Sequence, residues 1–145
     1  MSKIVYILNG PNLNLLGQRE PNIYGNATLG DIETLCEAAC KQSGYTCVFH
    51  QTNIEGELVD QVQEAGAKGA ALLINAAAYT HTSIALYDAL KTLTIPVIEV
   101  HLSQVGKRES FRQTSYVAGA ATGTISGFGV NSYVLAIQAA IDALT

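Results

Sequence analysis

Ile4-Val5-Tyr6-Ile7-Leu8 runs directly into Asn9-Gly10-Pro11-Asn12-Leu13-Asn14. A short apolar run rich in branched residues, with no alternation of polar and apolar positions, reads as a strand buried on both faces. The abrupt switch to Asn, Gly and Pro ends it in a turn. Working outward, the same signature recurs at residues 46–51, 70–74 and 96–100, and more weakly at 122–126. Between these runs the apolar spacing becomes helical, predicting helices over residues 29–42, 57–67, 83–92 and 131–144. Thr28 and Asp31 have the spacing of a capping box, and Gly44 is placed to end the first helix in a left-handed conformation.

Strand and helix therefore alternate from end to end, with connections long enough for right-handed crossovers. That pattern predicts a parallel sheet with helices on both faces. The expected fold is α/β, a flavodoxin-like doubly wound five-stranded sheet in the order 2-1-3-4-5. Residues 1–145 carry no repeat, linker or low-complexity segment, so one domain is expected. The connection over residues 10–26 is longer than the roughly 12 to 15 residues usual for an unstructured loop, which predicts a working part such as a lid.

The composition excludes several classes of function. Apolar residues make up 48% of the chain and charged residues only 14%, a balance that rules out disorder and predicts apolar surface covered by neighbouring subunits. A net charge of −4 without a basic run lacks the footprint of a nucleic-acid or anionic-membrane partner. The start of the chain, MSKIVYILNG, has neither signal-peptide segments nor a span of about 20 apolar residues, so a cytoplasmic location is expected. Cys36, Cys40 and Cys47 are expected to be reduced core thiols.

In an open parallel sheet the ligand crevice lies beyond the carboxyl ends of the strands, where strand order reverses. The polar segments that follow the strands here are 9–12, 75–82 and 101–103. Asn75, Tyr79, His81 and Ser83 lead into a helix whose first N–H groups either bind an anion or are capped by Thr82 or Ser83. Glu99 and His101, two apart on a strand, project to one face, where the carboxylate orients the imidazole. His50, on an outer strand and without such a partner, reads as structural. Arg108 and Arg112 share a face if their segment is helical. With Arg19 in the long loop they suit a substrate carboxylate or an acidic group to be held ionised. A Walker or dinucleotide loop, a nucleophile elbow and metal-ligand spacing are all missing, which leaves acid and base work by Tyr, His and Arg.

These residues carry a resemblance. Asn9-Gly10-Pro11-Asn12-Leu13-Asn14, Leu16-Gly17, Arg19-Glu20-Pro21 and Tyr24-Gly25 resemble the N-terminal signature of the type II 3-dehydroquinate dehydratases. So do Glu55-Gly56-Glu57-Leu58, Asn75, Ala78 through Ser83, Glu99 through Ser103, Arg108-Glu109, Phe111-Arg112, Ser115, Gly127-Phe128-Gly129 and Tyr133. The resemblance implies a hydro-lyase that converts 3-dehydroquinate to 3-dehydroshikimate, in the shikimate pathway or in quinate catabolism, without a cofactor. It also implies a dodecamer built as a tetramer of trimers.

By the same resemblance Tyr24, as phenolate, takes the proton alpha to the ketone and His101 protonates the departing hydroxyl. Arg19 and Arg108 keep the tyrosine ionised, Asn12 holds a water near the enolate oxygen, and Glu99 pairs with His101. Asn75, His81, Leu102, Ser103 and Arg112 bind substrate, and Asp88 reaches a neighbouring subunit's site. A phenol with an ordinary pKa near 10 needs nearby positive charge to act as a base at neutral pH, which agrees with these roles. Two positions depart from the family pattern: Ala76 stands where proline usually follows the Asn, and Ile54 where histidine usually precedes Glu-Gly-Glu. The alternative from another class is a flavodoxin-like protein that binds a small carboxylate without turnover.

Overall fold

The computed structural model describes residues 1–18, 22 and 25–145. The described elements run β1 (Ile4–Asn9), α1 (Leu29–Gln42), β2 (Thr46–Gln51), α2 (Glu55–Lys68), β3 (Ala71–Asn75), α3 (Ile84–Lys91), β4 (Val97–His101), β5 (Gly123–Ser126) and α4 (Asn131–Ala143). Short 3-10 turns occupy Leu13–Leu15, Ala77–His81, Val105–Lys107 and Ser110–Arg112. All five strands are parallel and lie in the order β2-β1-β3-β4-β5, as the sequence predicts.

The apolar runs are buried on both faces. Val5, Ile7, Ala71, Leu73, Ile98 and Val100 pack under α1 and α4, against Ile32, Cys36, Cys40, Tyr133 and Ile137. Tyr6, Leu8, Leu72, Ile74 and Val97 point the other way, onto Leu58, Val62, Leu86 and Leu90 of α2 and α3. This is the period-two alternation of a strand with a helix layer on either side.

The element boundaries differ from the sequence reading in an informative way. β1, β3 and β4 each run one residue past their apolar stretch, to Asn9, Asn75 and His101, because those polar residues still pair in the ladder. Asn9 is in register with both Gln51 and Asn75, and His101 with Ser126. α2 starts at Glu55 rather than 57, since a glycine in the first turn disrupts little and Glu55 and Glu57 suit the positive end of the helix dipole. α1 has the full capping box between Thr28 and Asp31, and Gly44 follows it with φ of 80°.

Where β1 and β3 part, the backbones touch. The Gly10 N–H donates to the Asn75 carbonyl at 2.8 Å. A Cβ on Gly10 would sit 2.3 Å from the Ala76 carbonyl oxygen, so only glycine fits at the switch point. Ala76 itself is buried with φ of −75°, a value a proline could take, so the alanine leaves the turn's path unchanged. Ile54 is 62% exposed at the start of α2, with no side chain capping the helix there.

Candidate active site

The carboxyl ends of β1, β3 and β4 open onto a cavity of about 140 Å³ lined by Asn12, Asn75, His81, His101, Leu102, Ser103, Arg108 and Arg112, with Pro11, Leu13, Ala77, Ala78 and Val105. Eight of the residues singled out from the sequence thus converge on one cleft. Glu99 stands directly behind it. Asp88 does not reach it; it is an exposed residue of α3. Arg19 and Tyr24 lie outside the described residues.

His101 is 8% exposed, and its Nε2 lies 2.6 Å from Glu99 Oε2. The same carboxylate oxygen accepts from Ser115 Oγ at 2.6 Å and Thr80 Oγ1 at 2.9 Å, while Oε1 accepts from Thr124 Oγ1 at 3.0 Å. An ionised carboxylate only accepts, so Nε2 of His101 carries the hydrogen in this pair and Nδ1 is the nitrogen left for chemistry. Burial pushes the Glu99 carboxyl up, yet hydrogen bonds and charge from His101 together with Ser115 and Thr80 outweigh it and hold the group at about 2.

The other cleft residues are anchored one by one. His81 Nδ1 donates to the Thr114 carbonyl at 2.8 Å, which turns Nε2 away from that bond. Asn12 adopts φ of 70°, a left-handed conformation that asparagine tolerates, and its N–H donates to Asn53 Oδ1 at 3.0 Å. Gln51 Nε2 binds both the Gly10 carbonyl and Asn53 Oδ1, tying the loop after β1 to β2. Arg108 Nη1 points to Ser103 Oγ at 3.5 Å, and Glu109 lies 3.6 Å from Arg108 and 3.0 Å from Arg112.

Several expectations need correction. The arginines do not share a helix: Val105–Lys107 and Ser110–Arg112 are separate 3-10 turns, and Arg108 between them is extended. Both side chains still reach the cleft because the turns fold along its rim. Of the two outcomes expected for the segment after β3, an anion site or a cap by Thr82 or Ser83, the structure has the cap: the turn Ala77–His81 leads to α3 and Ser83 accepts from Leu86 N–H. Cys36 and Cys40 are buried, but Cys47 is half-exposed on outer strand β2. His50 does have an acidic neighbour, Glu64 Oε2 at 3.8 Å, supplied by another element.

The family model described as dehydroquinase class II matches residues 3–141. The chain belongs to the class II dehydroquinase family. A 3-dehydroquinate dehydratase of Phenylobacterium zucineum is 58% identical over 140 residues, 97% of either chain. One of Caulobacter vibrioides is 59% identical over 140 residues, 97% of this chain and 96% of that one. The crystal structure of a type II dehydroquinase from Propionibacterium acnes superposes with a TM-score of 0.91 at 40% identity, covering 95% of both chains. The flavodoxin-like architecture is thus that of a class II dehydroquinase.

Within this dehydroquinase fold the sequence reading gave no task to the hydroxyls of Thr80, Ser115 and Thr124. One of them was within reach: Thr124 lies opposite Glu99 in the β4–β5 register, and a buried acid calls for a donor from its neighbouring strand. Among the described residues, no group of three or more His, Cys, Asp and Glu is placed to hold a metal ion.

The Glu99 cage carries a pH dependence. Its folded value, about 2, lies below the ordinary 4.5. The resulting stabilisation, on the order of 3 kcal/mol, is fully present above about pH 4.5 and is lost as pH falls towards 2. In thermal melts the gap between wild type and Glu99→Gln should therefore shrink across that window. A gap that stays constant down to pH 2 would contradict this account of the cage.

Proposed function

We infer that this member of the class II dehydroquinase family removes water from 3-dehydroquinate by acid and base work of side chains, with His101 as the acid and Tyr24 as the base. Tyr24, as phenolate, takes the proton from the carbon alpha to the ketone, and the C–H electrons form the enolate. As the enolate collapses to the ketone, the carbon–hydroxyl bond breaks. His101 gives its Nδ1 hydrogen to the departing oxygen, and water leaves. The product is 3-dehydroshikimate, a conjugated enone. No net electrons are transferred, so the reaction needs no redox cofactor.

The observation that carries this reading is the Glu99–His101 pair at 2.6 Å, with a carboxylate saturated by hydroxyls behind a ring that faces the cleft. A carboxylate in that position holds the Nε2 hydrogen and so fixes which ring nitrogen faces the cleft. Arg19 and Arg108 hold Tyr24 ionised, and Asn12 places a water by the enolate oxygen. Asn75, His81, Leu102, Ser103 and Arg112 bind the substrate's hydroxyls and carboxylate. In this reading Asp88 acts on a neighbouring subunit, which agrees with its exposure on α3 away from the chain's own cleft.

Assembly as a dodecamer, a tetramer of trimers, follows from the same reading. It is supported by the large apolar side chains left exposed, among them Ile84, Phe111 and Phe128. Among the described residues no helix is long and apolar enough to cross a membrane, in keeping with the proposed cytoplasmic location.

A carboxylate-binding protein without turnover would use the arginines but has no need of a buried acid aligning a histidine. The discriminating experiment mixes purified chain with 3-dehydroquinate and follows the absorbance of the conjugated enone. A rise that continues over many equivalents is expected. Binding with no rise would establish the alternative.

A further inference from the structure

Asn75 is held by a chain of hydrogen bonds whose direction is forced at both ends. At one end the His50 carbonyl can only accept, and Asn9 Nδ2 donates to it at 2.9 Å. Asn9 Oδ1 therefore faces the Tyr133 phenol at 2.7 Å, and since that oxygen only accepts, the single phenol hydrogen points to it. The phenol oxygen is then the acceptor for Asn75 Nδ2 at 2.9 Å. At the other end the Ala77 N–H can only donate, and it donates to Asn75 Oδ1 at 3.2 Å.

Asn9, Asn75 and Tyr133 are 0%, 3% and 0% exposed, so bulk water does not substitute for any partner. Burial, against a smaller lowering by Asn75, pushes the Tyr133 phenol well above its ordinary value and keeps its hydrogen in place. Turning the Asn75 amide over would set two acceptors face to face at Tyr133 and two donors face to face at Ala77. Ala77 also has φ of 53°, a left-handed conformation that alanine resists, on the lip of the cleft. An amide nitrogen carries two hydrogens. With one given to Tyr133, the other is left for a ligand in the cleft that Asn75 lines.

We propose that Tyr133 is a positioning residue for the dehydration: its hydroxyl fixes the orientation of the Asn75 amide, so that the cleft offers an N–H and not an acceptor to a substrate oxygen. The proposal rests on the reading of Asn75 as a substrate-binding residue. Tyr133 itself never touches substrate. It acts across the sheet, joining α4 to the carboxyl ends of β1 and β3 where the strand order reverses.

The test is steady-state dehydration of 3-dehydroquinate by assembled Tyr133→Phe, which keeps the ring and removes the hydroxyl. KM should rise about tenfold, the equivalent of one hydrogen bond, while kcat stays within about twofold and its pH profile is unchanged. Asn9→Ala is a second route, because it frees the phenol hydrogen to turn towards Asn75 and leaves the amide's orientation to the Ala77 N–H alone; KM should again rise. Asn75→Ala should raise KM at least as much, and adding Tyr133→Phe to it should do nothing more.

A hydroxyl that only supports the fold would lower the active fraction, and so the apparent kcat, at unchanged KM; that result overturns the proposal. Should Tyr133→Phe fail to fold, Asn9→Ala decides by the same criterion. If Asn75→Ala raises KM while the other two variants leave it alone, the positioning role falls and the substrate-binding reading stands. If Asn75→Ala leaves KM unchanged, both fall.

Discussion

Tyr24→Phe is expected to lower kcat by roughly 10²–10⁴ while KM changes little. Phenylalanine keeps the ring but has no oxygen to accept the proton alpha to the ketone. In the proposed mechanism the substrate's carboxylate and hydroxyls are bound by other groups, Arg112, His81 and Asn75 among them, so affinity should be spared. Arg19→Ala acts on the same step from outside. Without that positive charge the phenolate forms less readily at neutral pH, so part of the lost activity should return as pH is raised. Near-normal turnover by Tyr24→Phe would remove the tyrosine from the mechanism.

His101→Ala should be comparably damaging, with kcat falling by roughly 10²–10⁴. Here the enolate still forms, but the hydroxyl must leave without a proton from Nδ1. Glu99→Gln should reproduce part of the loss. The amide presents a donor as well as an acceptor to the cage formed by Thr80, Ser115 and Thr124, and it no longer places a negative charge 2.6 Å from Nε2. Full activity of Glu99→Gln at neutral pH would show that His101 needs no carboxylate partner for this step.

The sheet was legible in the sequence because its three central strands are buried on both faces and so appear as unbroken apolar runs. Strand order followed from the alternation with helices. The ends of the strands were less legible: Asn9, Asn75 and His101 look like loop residues, yet they close the ladder, and Asn75 and His101 line the cleft. For the Glu99–His101 pair, a spacing of two on a strand is enough to fix a common face.

Contacts that depend on distant positions left no local trace. Tyr133 lies 124 residues from Asn9 and 58 from Asn75, and neither periodicity nor spacing links them. The spacing of four between Arg108 and Arg112 suggested one helical face, but consecutive 3-10 turns bring the two side chains to the cleft by another route. Composition signalled apolar surface to be covered, but not where: the fold leaves Ile54, Phe111 and Phe128 among the exposed side chains.

In the proposed mechanism two different side chains perform the two halves of the elimination, and solvent exchange at the substrate separates them. In D₂O, 3-dehydroquinate is incubated with the His101→Ala and Tyr24→Phe variants, and the proton signal of the carbon alpha to the ketone is followed by NMR. With His101→Ala that signal should fade faster than product appears, because Tyr24 still forms the enolate and returns a deuteron. With Tyr24→Phe neither exchange nor product should exceed the uncatalysed rate. Enzyme-dependent exchange by Tyr24→Phe, or elimination by His101→Ala at the wild-type rate, would contradict the assignment.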